Sequence, residues 1–166
     1  MATPTPRVHL LCGLPAAGKS TYARRLAAEL PAVRFTLDEW MIRLYGLSYD
    51  DPAYPVRSEA CQALIWDVAV QILGVGRDVV LDWNQWSREC RTTWRDRASE
   101  LGYQVLLHQL DVPIEKAIAQ ALARTPETDR TTSHVIDAAG VRHLAAIFEA
   151  PSADEGIPIY VVRPDG

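Results

Sequence analysis

Only three of the 166 residues are cysteine, and Cys12, Cys61 and Cys90 form no CxxC pair. That excludes a disulfide framework and a thiolate metal site; the expectation is three reduced, mostly packed thiols in a cytoplasmic protein. No apolar run approaches the length of a membrane span, so no membrane association is expected. The opening Met1-Ala2-Thr3-Pro4-Thr5-Pro6 lacks the apolar stretch of a signal peptide. Positive charge is not in excess: the net charge is −4, which excludes a global attraction to nucleic acid or anionic membranes. His134 and His143 show no metal-ligand spacing, and His9 and His108 fall in stretches that read as packed strands. Internal repeats and low-complexity segments are missing as well. What remains is a chain with 48% apolar residues, too apolar for disorder and long enough for one domain spanning 1–166.

One stretch organises the rest. Gly13-Leu14-Pro15-Ala16-Ala17-Gly18-Lys19-Ser20-Thr21 fits G-x-x-x-x-G-K-[ST] at every defined position. Gly13 and Gly18 let the backbone turn tightly and bring its N–H groups against phosphate oxygens. Lys19 supplies a point charge for the β- and γ-phosphates, and Ser20 a hydroxyl for Mg²⁺. The apolar Arg7–Cys12 before the loop reads as a buried strand. Tyr22–Leu30 after it reads as a helix with Ala23, Leu26, Ala27 and Leu30 on one face. The residues expected to hold ATP are therefore Gly13, Ala16, Ala17, Gly18, Lys19, Ser20 and Thr21.

Strands and helices alternate along the remaining chain. Strands are expected over Ala32–Leu37, Asp78–Asp82, Tyr103–Leu110 and Ile157–Val162. Helices are expected over Glu39–Tyr45, from Pro55 or Val56 to Leu73, from the N-cap Ser87 to Leu101, after Asp111 as a cap, and over about Asp137–Glu149. The long helix carries Cys61, Leu64, Ile65, Val68 and Ile72 at core spacing; the one after Asp111 carries Ile114, Ile118, Ala121 and Leu122. Thr125–Ser133 is polar, contains Pro126 and reads as a mobile loop. Nearly continuous apolar strands alternating with helices imply an α/β fold with a parallel sheet covered on both faces. Ligands bind such sheets beyond the carboxyl ends of the strands.

Two carboxylates are expected on that edge. Asp82 ends an apolar strand, where an Asp beside a phosphate loop organises metal; the alternative is a cap for the next turn. Asp38, expected at the tip of the second strand, is the candidate base for an acceptor hydroxyl; its alternative is a cap for the short helix. Arg88, Arg91 and Arg95 share one helix face at i, i+3, i+7 and read either as a clamp for an anionic substrate or as a solvated face. Arg43, Trp83, Arg88 and Arg91 join Asp38 as acceptor-side candidates. Trp40, Trp83 and Trp86 form either a stacking wall or core. Arg124, with Arg130 beyond it, is a candidate to approach the transferring phosphate; its alternative is a cation at a helix C-terminus.

The phosphate loop, Thr36-Leu37-Asp38-Glu39, Leu81-Asp82-Trp83 with Trp86-Ser87-Arg88 and Arg91, Leu110-Asp111-Val112-Pro113 and Phe148-Glu149-Ala150-Pro151 together carry a resemblance. Across nearly the whole chain they resemble small bacterial P-loop ATP-binding proteins. These are similar to the kinase group of polynucleotide kinase, chloramphenicol phosphotransferase, gluconate kinase and zeta toxin. The resemblance implies a three-layer α/β/α P-loop fold, strand order 2-3-1-4-5, a small lid at about 124–134, and ATP with Mg²⁺. It also implies a base or acceptor-orienting role for Asp38 and a lid role for Arg124. The turn Trp83-Asn84-Gln85-Trp86 departs from relatives, which often carry Gly or Phe there. The activity expected is transfer of the γ-phosphate of ATP to a hydroxyl of a small molecule. A nucleotide or 5′-polynucleotide kinase is the second reading, against which the acidic charge weighs, and a nucleotide-binding regulatory ATPase the third.

Overall fold

The computed structural model describes residues 5–47, 49–124 and 136–163. Five parallel strands form one sheet in the order β2-β3-β1-β4-β5. They are β1 (Arg7–Cys12), β2 (Ala32–Thr36), β3 (Asp78–Asp82), β4 (Gln104–Leu110) and β5 (Ile159–Val162). The helices are α1 (Lys19–Glu29), α2 (Leu37–Tyr45), α3 (Tyr54–Gly74), α4 (Arg88–Glu100), α5 (Ile114–Ala123) and α6 (Ala138–Ile147), followed by a 3₁₀ turn, Ala153–Glu155. The expected architecture and strand order are the observed ones. Among the described residues no helix is long and apolar enough to cross a membrane.

β1 is the central strand because it is apolar on both faces: Val8, Leu10, Leu11 and Cys12 are fully buried. It pairs with β3 through Val8–Val79 to Leu10–Leu81 and with β4 through Arg7–Gln104 to Cys12–Gln109. These registers bring the ends of β1 and β3, and the start of α2 after β2, to one edge. One face of the sheet packs on α3 and α4, where Met41, Ile65, Leu73, Trp83, Trp94 and Leu107 share a core. On the other, Leu11 and Val80 pack against Ala23 and Leu26 of α1.

Several boundaries differ from the sequence expectation. α1 begins at Lys19, three residues early, because Gly18 itself is the N-cap, in the left-handed region at φ 89°. β2 stops at Thr36, so Asp38 stands in the first turn of α2 rather than on a strand tip. α3 runs through Gly74, and the buried face is Ser58, Cys61, Ile65, Ala69 and Leu73; Leu64 is exposed. Leu122 is likewise exposed, and the small Ala117 and Ala121 take the core face of α5 with Ile118. Asp111 does not cap α5, whose N-cap is Pro113; its carboxylate accepts from Arg163 Nε at 3.2 Å. Ser87 caps α4 as expected, accepting from Cys90 N at 3.1 Å. The loop Thr125–Ser133, with Arg130, and His134 lie outside the described residues.

Candidate active site

The phosphate-loop residues take the backbone path their types permit. Gly13 has φ 143°, and a Cβ there would stand 2.7 Å from the Leu110 carbonyl oxygen. Only glycine therefore lets β1 turn into the loop against β4. Gly18 offers no side-chain cap, so the first-turn amides of α1 are left for an anion. Lys19 reaches back across the loop and donates from Nζ to the carbonyls of Gly13 (3.0 Å) and Leu14 (2.8 Å). Burial among these groups lowers its pKa to about 8, against the favourable pull of the Asp82 and Asp38 carboxylates and with the nearby Arg124 charge. Ala16, Gly18, Lys19 and Ser20 line a cavity of about 520 Å³ at the strand ends. Gly13 and Ala17 are not in its wall: Gly13 packs on Leu110 and Ala17 is buried. Thr21 is exposed on α1, outside the cavity lining.

Asp82 ends β3 inside the same cavity, 4% exposed. Burial pushes its pKa up, and hydrogen bonds from Ser20 and Thr36 together with the Lys19 and Arg34 charges oppose that. Thr36 Oγ1 donates to Asp82 Oδ2 at 3.0 Å, and Arg34 Nη1 stands 3.5 Å away. Arg34 also pairs with Glu39 at 3.1 Å. A magnesium ion takes one or two protein oxygens and completes its shell with phosphate and water. A buried carboxylate bonded to the loop serine is such a donor pair. Among the described residues no group of three or more His, Cys, Asp or Glu is assembled for a metal. The donor set thus suits a cation that arrives with phosphates.

Asp38 lines the cavity from the start of α2, and Tyr49 Oη donates to its Oδ2 at 3.1 Å. Tyr49 and Tyr54, stacked edge to face with centroids 5.1 Å apart, also line it. Burial, then the Asp38 charge, raises both phenol pKa values, so both remain neutral. Neither tyrosine is marked by a motif or a periodic signal in the sequence. Trp83 and Trp86 do line the cavity. Trp83 is held from behind by Trp94, edge to face at 5.2 Å. Trp40 instead packs on the core against Phe35. Arg124 is exposed at the C-cap of α5 and lines the cavity. His143, unassigned from sequence, lines it from α6.

Four expected substrate contacts, Arg43, Arg88, Arg91 and Arg95, are not brought there. Arg91 is fully buried, and its Nε and Nη2 form a fork on Glu155 at 2.7 and 2.6 Å. Its Nη1 donates to the carbonyls of Gln85 and Glu149. Arg88 pairs with Asp154 at 2.8 Å on the surface, and Arg95 reaches the Glu155 carbonyl. Arg88 and Arg91 do grip an anion, but it is the chain's own acidic turn, while Arg95 pairs with Asp96 on its own helix. Arg43 is exposed near the end of α2 and does not line the cavity. Glu149, part of the late motif, accepts from Arg88 N at 2.6 Å and donates its own N–H to Trp86 O, fixing the turn beside the cavity.

A family model described as an AAA domain matches residues 8–152. The chain belongs to that AAA-domain family. It is a P-loop, ATP-binding type of domain with a kinase-like fold. No curated protein matches the chain. Among solved structures it is similar to a chain of the Pnkp1/Rnl/Hen1 RNA repair complex, at 21% identity and a TM-score of 0.71 over 86% of this chain. It spans only 44% of that chain's length. Kti12 from Chaetomium thermophilum, solved in complex with ADP-AlF3, is similar at 19% identity and a TM-score of 0.68, over 95% of this chain and 89% of that one. A gluconokinase from Sinorhizobium meliloti 1021 is similar at 16% identity and a TM-score of 0.63, over 96% and 83%. At these identities the likeness is one of fold.

Proposed function

We propose that this domain transfers the γ-phosphoryl group of ATP to a hydroxyl of a small molecule. The observation that carries the reading is that two carboxylates in different surroundings, Asp38 and Asp82, line one cavity with Lys19, Ser20 and Arg124. In this reading the loop amides and Lys19 hold the phosphates. Ser20 and Asp82 hold Mg²⁺, which when bound neutralises phosphate charge. Asp38 takes the proton of the acceptor hydroxyl while its oxygen bonds to the γ-phosphorus. The bond from that phosphorus to the β–γ bridging oxygen breaks, and ADP leaves. Arg124 offsets the charge on the transferring group. A phosphorylated nucleotide or 5′-polynucleotide acceptor loses its support, since Arg88 and Arg91 are engaged by Asp154 and Glu155.

The test is ADP release from Mg-ATP with and without a panel of hydroxyl compounds. An acceptor should raise release above the rate in water alone, and Lys19→Ala should sharply weaken both nucleotide binding and turnover. Wild-type affinity and turnover in Lys19→Ala would remove the loop from the mechanism. Equal release with and without every acceptor would favour the regulatory ATPase.

A further inference from the structure

We propose that the acceptor is an uncharged hydroxyl compound with a flat, ring-shaped body, and that the site discriminates against acceptors carrying a phosphate or carboxylate. This rests on the phosphotransfer reading above and concerns the aromatic residues of the cavity wall. Tyr49, Tyr54, Trp83 and Trp86 line the cavity with Asp38, and Tyr49 and Tyr54 lie beside its carboxylate. Ring faces cover a planar body well and favour stacked or edge-on contact. The two phenols stay uncharged, because desolvation and the Asp38 charge disfavour the phenolate, and the Tyr49 hydroxyl donates to Asp38. Four of the five buried side-chain polar atoms without a hydrogen-bond partner among the described residues belong to this wall's turn, at Trp83, Gln85 and Trp86. Of these residues Trp83 and Trp86 line the cavity and carry uncharged indole N–H donors, while Gln85 is fully buried outside its lining.

The charges point the same way. Among the described residues, the Lys and Arg side chains that line the cavity are Lys19 and Arg124, and both serve the triphosphate in this reading. Three further arginines are engaged by carboxylates of the chain itself: Arg34 with Glu39 and Asp82, Arg88 with Asp154, Arg91 with Glu155. An acceptor anion would therefore stand beside Asp38 with no further guanidinium fork among the described residues of the cavity wall to compensate, which costs about tenfold or more in affinity at an effective dielectric between water and protein interior.

Matched probes separate ring, charge and chemistry: 4-nitrophenyl β-glucoside, the corresponding glucuronide, methyl β-glucoside, a nucleoside and its 3′-monophosphate. Binding is measured by calorimetry with Mg-ADP present, and ADP release with Mg-ATP. The aryl glucoside should bind about tenfold or more tightly than its glucuronide, the nucleoside than its monophosphate, and the aryl than the methyl glucoside. Trp86→Ala should shrink the aryl-over-methyl preference by roughly three- to tenfold. Tyr49→Arg, at an exposed position, should bring the anionic members up to or past their neutral partners. Anionic members binding as well as neutral ones to the wild type, or no probe binding at all, would overturn the proposal. Release driven by anionic members would overturn the substrate class and leave phosphotransfer standing. Binding in the expected order with no acceptor-dependent release would leave the class and remove phosphotransfer.

Discussion

Asp38 and Asp82 are one functional group in two settings, and the settings divide their work. Asp82 is 4% exposed and tied to Thr36 and Ser20 beside the ammonium of Lys19, a place for a fixed negative charge facing a cation. Asp38 sits at the aromatic wall with a phenol on its Oδ2, and in the proposed reaction it takes the proton of the acceptor. Asp38→Asn should keep Mg-ATP affinity and lose transfer by a factor on the order of 10² to 10⁴. Asp82→Asn should weaken Mg²⁺ dependence and nucleotide affinity together. If Asp38→Asn turned over normally while Asp82→Asn lost transfer alone, with affinity intact, the roles would be exchanged. Arg91 makes the opposite case, a residue that looked like substrate chemistry and is architecture. Removing it leaves Glu155 buried and unpaired, so Arg91→Ala should cost about 3–5 kcal/mol in a denaturant titration. Acceptor KM should hold wherever the variant remains folded. A stability unchanged from wild type, with a raised acceptor KM, would restore the substrate role.

At the scale of elements, β1 and β4 are joined to α1 by a buried polar chain. Tyr22 Oη lies 2.9 Å from His108 Nδ1, His108 Nε2 lies 2.9 Å from His9 Nδ1, and His9 Nε2 lies 3.0 Å from Asp78 Oδ2. One proton arrangement satisfies all three: the phenol donates to His108, His108 to His9, and His9 to Asp78. Tyr160 packs on the His108 ring, and Arg7 adds a charge near His9. Burial, then the His9 charge, lowers His108 to about 4, and burial lowers His9 against the pull of Asp78. The unfolded chain then binds more protons than the folded one between the ordinary histidine value near 6.5 and about 4. Stability from this network is complete above pH 6.5 and is lost as the pH falls through that window. Urea midpoints measured from pH 7 to 4 should fall, and His108→Gln should flatten the slope; an unchanged slope would contradict the assignment. Sequence periodicity could not reveal this chain, because a histidine in an apolar strand reads as packed whatever it bonds. Periodicity also overreached at Leu64 and Leu122. Both lie at apolar spacing, but small side chains, Ala69 on α3 and Ala117 and Ala121 on α5, are what close approach to neighbouring elements selects.

For the whole molecule, the layered sheet was readable because each strand is an apolar run and each helix has its own stop or cap. The phosphate loop was readable because glycine, lysine and serine at fixed spacing answer one chemical need. The aromatic wall was not, because it joins Tyr49 from a connection and Tyr54 from the start of α3 with Trp83 and Trp86 from the turn after β3, which only the packed sheet brings together. The destiny of the arginine face was hidden for the same reason: its partner, Glu155, lies 64 residues along the chain. The most direct test of the account follows the phosphorus itself. Phosphorus NMR of Mg-ATP with the domain and a mixed panel of neutral and anionic hydroxyl compounds should show the γ signal replaced by a phosphomonoester, with one ADP formed for each ester. ADP accompanied by inorganic phosphate alone, with no ester from any acceptor, would contradict it.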